Sequence, residues 1–208
     1  MLKKIFFFAV FCCLFFTQIG FAQEIPTQAT QQSKILRVAI LPVISSEHNY
    51  PKVNELLSKS LIDEMHVPLN DTLQNVEYID EQSIYNAIHQ SNFTYNQNLD
   101  TLKDTATILD ADVVVGYSIP LMYQRYYRSL SQIDSDPLLN SFLSVKLWAY
   151  YRPLNQIFTL SDKRVYFDEM SSSGMLTSLA NDASYRLIKK AELKSLLKQS
   201  IKIKKGDS

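Results

Sequence analysis

Glycine is scarce: the 208 residues contain four. That excludes collagen-like and low-complexity classes and argues against a glycine-rich loop that could cradle a phosphate. Cysteine is confined to the adjacent pair Cys12 and Cys13, which cannot build a disulfide framework or a four-ligand zinc site. An excess of charge is missing too, with 21 basic and 21 acidic side chains. No run of lysine or arginine exceeds three residues, so the basic footprint of a nucleic-acid binder is not there, and DNA and RNA are set aside as partners. What remains is a chain that is 46% apolar, enough to bury the core of one globular domain.

The first 22 residues read as a secretory signal peptide. Lys3 and Lys4 precede the apolar run Ile5 to Phe16, and Gly20 and Ala22 stand at the spacing a signal peptidase reads, which places cleavage after Ala22. The run is shorter than the roughly 17 to 25 residues that span a bilayer, although Ile5 to Ala22 with its polar interruptions would just reach. An uncleaved membrane anchor is therefore the rival reading. Cys12 and Cys13 are read as apolar filler of the signal core, because bulky Phe11 departs from the small residues that precede a lipid-modified cysteine. Cleavage would remove Lys3, Lys4, both cysteines and no acid, leaving 19 basic against 21 acidic side chains, a formal charge of −2. Residues 23–34 form a polar linker without an apolar period to bury.

Residues 35–198 are expected to form one α/β domain, and 199–208 a disordered tail. Lys34 to Val43 is a β-branched apolar run, the pattern of a strand buried on both faces. A helix over about 51–66 follows, with Asn49 as its cap, Pro51 in the first turn and Val53, Leu57, Leu61 and Met65 at helical spacing. Val76 to Ile79 reads as a strand, Asp80 as the cap of a helix through Ile84, Ala87 and Ile88, and Leu99 to Asp110 as another helix. Val113 to Tyr123 is a strand, Ser129 to Asn140 a long exposed connection, and Ser141 to Tyr151 a half-buried strand with a turn at Arg152 to Gln156 and a return strand to Glu169. Leu176 to Ala191 marks a long amphipathic helix, with fraying from Lys202. The order implies a mixed sheet of about five strands, parallel in its first part and closed by an antiparallel hairpin, with helices packed on it.

Three segments in this order, Val38-Ala39-Ile40-Leu41-Pro42, Tyr78-Ile79-Asp80 and Leu109-Asp110-Ala111-Asp112-Val113-Val114-Val115-Gly116, resemble the extracytoplasmic domain shared by the TolB N-terminal domain, the CsgG curli-secretion subunit and the LpoB-type activators of penicillin-binding proteins. The match covers about residues 35 to 198. The resemblance implies a mixed-sheet domain of the bacterial cell envelope that binds other proteins without catalysis. The chain departs from the family in two places: Asp110 stands where glycine is frequent, and Pro153 and Asn155 occupy a hairpin turn that often holds Asp and Gly. No lipid anchor or additional amphipathic strands are found, so a secretion-channel role is not carried over.

Signs of chemistry are few. His48, His66 and His89 are scattered without metal-ligand spacing, and no cofactor or metal is expected. Ser171 to Gly174 lacks the glycine-serine-glycine spacing of a hydrolase elbow. Asp134 and Asp136 lack the rest of a calcium loop, but as loop carboxylates they carry the alternative reading of a periplasmic enzyme. Asn70-Asp71-Thr72 and Asn92-Phe93-Thr94 match the glycosylation pattern and mark surface loops. Gly116 reads as a bulge or close backbone approach, and Asp112 as a polar strand entry. The candidate partner surface is Tyr123, Arg125, Tyr126, Tyr127 and Arg128, backed by Trp148, Tyr150 and Tyr151 on the next strand, because Tyr, Trp and Arg dominate interface hot spots. The expected function is a non-enzymatic periplasmic or secreted domain. Its partner is another cell-envelope protein or a second copy, and membrane contact is limited to the N-terminal segment.

Overall fold

The computed structural model describes residues 35–68, 75–95, 98–128 and 137–206, which belong to one compact unit. The signal segment 1–22 with its cysteines, the linker, the Asn70 motif, and Asp134 and Asp136 lie outside the described residues.

Among the described residues, six strands form one sheet in the order β3-β1-β4-β5-β6, with β2 pairing to β4 beyond β1. Strand β1 (Leu36–Ile40) lies parallel to β3 (Val76–Tyr78) on one side and to β4 (Val113–Tyr127) on the other. Strand β2 (Ile44–Ser45), which the apolar pattern does not reveal, resumes the parallel ladder after Pro42. Strands β4, β5 (Leu138–Tyr151) and β6 (Gln156–Glu169) make an antiparallel meander. The expected mixed sheet is present. The meander is longer than expected, however: β4 continues four residues past Tyr123, and β5 begins at Leu138, inside the segment expected as an exposed connection.

One face of the sheet is covered by α1 (Pro51–Met65), α4 (Leu176–Ala191) and α5 (Leu193–Lys205). Val53, Leu57, Leu61 and Met65 of α1 and Leu179, Ala183 and Leu187 of α4 meet Val113, Val115, Tyr117, Leu143, Val145 and Leu147 there. The opposite face is covered by α2 (Glu81–Ser91) and α3 (Leu99–Ile108), which pack Ile84, Ala87, Leu102 and Ala106 on Ala39, Val114 and Trp148. Trp148 is buried on that side, so the basal part of β5 is covered on both faces and is not the half-buried strand its alternation suggests. Helix caps follow the local chemistry: Asp80 accepts from the Ser83 backbone N–H at 2.9 Å, and Asn98 from that of Thr101 at 3.0 Å. Helix α1 differs, since Tyr50 and not Asn49 is its cap residue and no side chain caps it.

The C-terminal expectation is corrected as well. A left-handed residue at Glu192, φ 50°, ends α4, and a second helix runs to Lys205 where fraying was expected. Residues 199–205 are therefore helix and not tail. Lys204 Nζ lies 3.0 Å from Asp112 Oδ2, which also accepts the Arg37 backbone N–H at 3.0 Å, and this ties α5 to the start of β1 and β4.

Asp110 and Asn155, two of the residues that depart from the expected resemblance, stand where the backbone is left-handed. Asp110 has φ 45° and Asn155 φ 49°. Glycine suits such positions because it lacks a Cβ, and Asp and Asn tolerate them best among the other residues. Asp110 is held there by ion pairs to Arg37 at 3.0 Å and Arg152 at 3.2 Å. The close approach expected at Gly116 is also present, since a Cβ there would sit 2.8 Å from Leu41 Cβ.

Candidate interaction surface

Strand β4 contains a proline, Pro120, which cannot donate to a ladder and is tolerated inside a sheet at bulges. The register shows the bulge: Ser118 pairs with Lys146 and Leu121 with Ser144, so β4 spends one residue more than β5. The extra residue reverses which side chains face which way. Before it, Val114, Gly116 and Ser118 share a face with Trp148 and Lys146; after it, Leu121, Tyr123, Arg125 and Tyr127 take over that face.

Cross-strand pairing then lays out three rows on the distal half of this face. Tyr127 stands beside Leu138, Arg125 beside Asn140 and Phe167, and Tyr123 beside Phe142 and Val165. Tyr123 and Phe142 stack with centroids 5.6 Å apart and planes at 15°, and the Arg125 guanidinium lies 5.2 Å from the Tyr123 centroid. Phe167 and Val165 are 63% and 66% exposed, and Leu121, Tyr127 and Leu138 are also exposed. Helices α2 and α3 stop short of this half, and their core ends at Trp148 and Tyr150. With aromatic side chains at ~150–250 Å² each, the exposed apolar area is on the order of 500 Å². That is at the upper end of what a monomer leaves uncovered.

The structure thus divides the cluster singled out in the sequence. Tyr123, Arg125 and Tyr127 lie on the open face. Tyr126 points to the other side, where its hydroxyl takes a hydrogen bond from Gln124 Nε2, and Arg128 is exposed just past the end of β4. Trp148 is 2% exposed, with its Nε1 donating to Ser118 Oγ at 2.8 Å and its ring edge-on to Phe93, so it belongs to the core and not to the surface. Tyr150 is half-buried against the same core, and Tyr151 is buried on the opposite face, donating to the Leu193 carbonyl at 3.1 Å. Phe93, expected in a surface loop, is buried. Leu121, Leu138, Phe142, Val165 and Phe167 were not singled out. Their signal was the apolar residues at both parities in 138–143 and at odd positions of 165–167.

The outer edge of β6 is guarded. Asp162 and Arg164 point inward toward α4, where Arg164 lies 2.7 Å from Asp162 and 3.1 Å from Asp182. Inward charges on an edge strand oppose uncontrolled pairing with another chain. Perturbed titratable groups lie elsewhere and have structural causes. Burial pushes the Tyr78, Tyr117 and Tyr151 phenols up. Hydrogen bonds from Ser83 hold Asp80 below the usual carboxylate range, and the Arg152 hydrogen bond, followed by Arg37, does the same for Asp110. His66 lines a mostly apolar cleft of about 430 Å³ between α1 and α2, near Tyr78 and Glu81. Among the described residues no three His, Cys, Asp or Glu side chains converge on a metal position, and no helix is long and apolar enough to cross a membrane.

No family model and no curated protein matches this chain. Solved structures of bacterial proteins are similar to it in outline. The PelC dodecamer from Paraburkholderia phytofirmans has a TM-score of 0.37 at 10% identity, over 79% of this chain and 89% of that one. The lipoprotein GNA1162 from Neisseria meningitidis has a TM-score of 0.37 at 14% identity, over 74% and 99%. The C-terminal domain of LpoB from Salmonella enterica has a TM-score of 0.32 at 10% identity, over 63% and 82%. Of the families in the expected resemblance, the LpoB type is thus represented among the similar structures. Likeness at this level carries nothing about activity or partner.

Proposed function

We propose that this chain is exported and serves as a non-catalytic protein-binding domain of a bacterial cell-envelope assembly, docking another envelope protein on the distal face of β4, β5 and β6. The observation that carries this reading is the uncovered aromatic and apolar face itself. Its stacked Tyr123 and Phe142 form a rigid centre, and Arg125 and Tyr127 supply polar handles at low entropic cost. Export is supported by the basic start, apolar run and small-residue pair of residues 1–22. A partner surface of complementary apolar character would extend the patch toward the roughly 800 Å² per side of a stable interface. The guarded β6 edge favours docking on the face over edge pairing with a second copy.

Site-specific photo-cross-linking in intact cells tests the reading. A cross-linker at Phe167 or Tyr127 is expected to trap one and the same envelope protein. At Tyr185, which is 65% exposed on α4, it is expected to trap none of it. Loss of the adduct in a Tyr123→Ser variant of unchanged stability would agree. The same products from all three positions, or adducts only between copies of this chain, would overturn it.

A further inference from the structure

The C-terminal helix carries a charge pattern that neither the core nor the open sheet face uses. Between residues 189 and 205 the chain places seven lysines against one acid, Glu192, although its totals balance at 21 each. Lys194, Lys198, Lys202 and Lys205 recur at helical spacing along one flank of α5, and all four are exposed. Lys189 and Lys190, exposed in the last turn of α4, extend the stripe across the Glu192 break. Among the described residues none of these six joins an ion pair, whereas Lys204 is committed to Asp112. Glu64 and Glu192 share a groove with Lys189 and Lys194, and the stripe remains strongly positive around them.

We infer that this stripe docks on a surface of anionic phospholipid headgroups. Most of the apolar side of α5 is spent on the core, where Leu193 and Leu197 are buried and Leu196 and Ile201 pack, leaving Ile203 exposed, so the basic flank contacts headgroups from above without a continuous apolar face to insert. Position favours a bilayer over an acidic protein. Asp112 Oδ2 receives both Lys204 Nζ and the Arg37 N–H, so the end of α5 lies against the start of β1. The chain preceding β1 leads back to the apolar run Ile5 to Phe16, the segment that directs it to a membrane. The stripe therefore lies at the end of the domain where β1 begins, the end that the membrane-directed segment precedes in the sequence. This inference does not depend on the open sheet face.

Co-sedimentation tests it, using the protein as purified from cells with whichever N-terminus it carries. It is mixed with vesicles of phosphatidylcholine alone or with added phosphatidylglycerol. Binding is expected to prefer the phosphatidylglycerol vesicles and to weaken as salt shortens the screening length. Each lysine near such a surface raises partitioning about fivefold, so replacing Lys194, Lys198, Lys202 and Lys205 by Gln should reduce it several-hundred-fold. Thermal stability should be unchanged, because none of the four is paired. An N-terminal apolar segment, if retained, is common to both proteins and cancels in the comparison. Equal binding to both vesicle types, or a quadruple variant that binds like the parent, overturns the inference. Absence of vesicle binding together with salt-sensitive capture of poly-glutamate would assign the stripe to an acidic protein segment and overturn it equally.

Discussion

Replacing Lys204 by Met should destabilise the fold far more than a change near a chain end ordinarily does. The Asp112 side chain is 6% exposed and its carboxylate has two partners, the Lys204 ammonium at 3.0 Å and the Arg37 backbone N–H at 3.0 Å. Removing one member of a buried pair leaves an uncompensated charge, which typically costs about 3–5 kcal/mol. The Arg37 N–H remains and offsets part of that, so the expected loss is about 2–4 kcal/mol. That is a large share of the roughly 5–15 kcal/mol by which a domain is stable. Urea unfolding at neutral pH is the assay, with the loss appearing as a lower midpoint at unchanged slope. Asp112→Asn alone should also destabilise. The double variant should lose less than the two single losses together by more than about 0.5 kcal/mol, since the residues are in contact. A Lys204→Met loss below about 1 kcal/mol, or additive single losses, would refute the reasoning and return α5 to the status of a loosely attached tail.

Gly116→Ala forces a Cβ to within 2.8 Å of Leu41 Cβ, an atom fixed to the backbone, and should cost about 1–3 kcal/mol in thermal or urea unfolding. Glu192→Gly relieves a left-handed non-glycine residue at φ 50° between α4 and α5 and should raise stability by up to about 1 kcal/mol, readable as a higher thermal midpoint. Asp110 has a lowered folded-state pKa, so its contribution is present above the ordinary carboxylate value near pH 4 and is lost as pH falls through the folded value. Asp110→Asn should flatten that acid limb by less than about 1 kcal/mol, because the carboxylate is largely exposed, and a pH series of denaturation midpoints checks it.

Most elements were legible because their burial is periodic. Val53 to Met65 reads as a helix with one buried stripe, and the stripe is what packs; Asp80 reads as a cap and accepts the Ser83 N–H. What escaped depends on partners distant in sequence. Strand β2 is two residues long and exists only because β4 offers it a ladder at Ser118 and Ile119. The break at Glu192 carries no glycine or proline, so nothing local announces a second helix after Ala191, and the lysine stripe is lost in a count of consecutive charges. Tyr123 to Arg128 was recognised by composition alone. Composition cannot say that Pro120 makes a bulge, and the bulge decides that alternate members of that run face opposite ways. Trp148 looked available for the same reason, since its burial is decided by Phe93 and α3, far from it in the sequence.

The placement of β1 between β3 and β4 also sets the order in which the molecule can assemble. The backbone of Arg37 meets Asp112 across 75 residues of chain, and β1 cannot complete its ladder until β4 exists. The meander of β4, β5 and β6, by contrast, is built from strands consecutive in sequence, Tyr127 pairing with Leu138 and Tyr151 with Gln156, and closes far smaller loops. A chain emerging from its N-terminus therefore presents β1, an apolar strand, well before its central partner is made. The meander is the natural template on which β1 is later received, and the interval before that is when this protein is most exposed to aggregation or to capture by a chaperone.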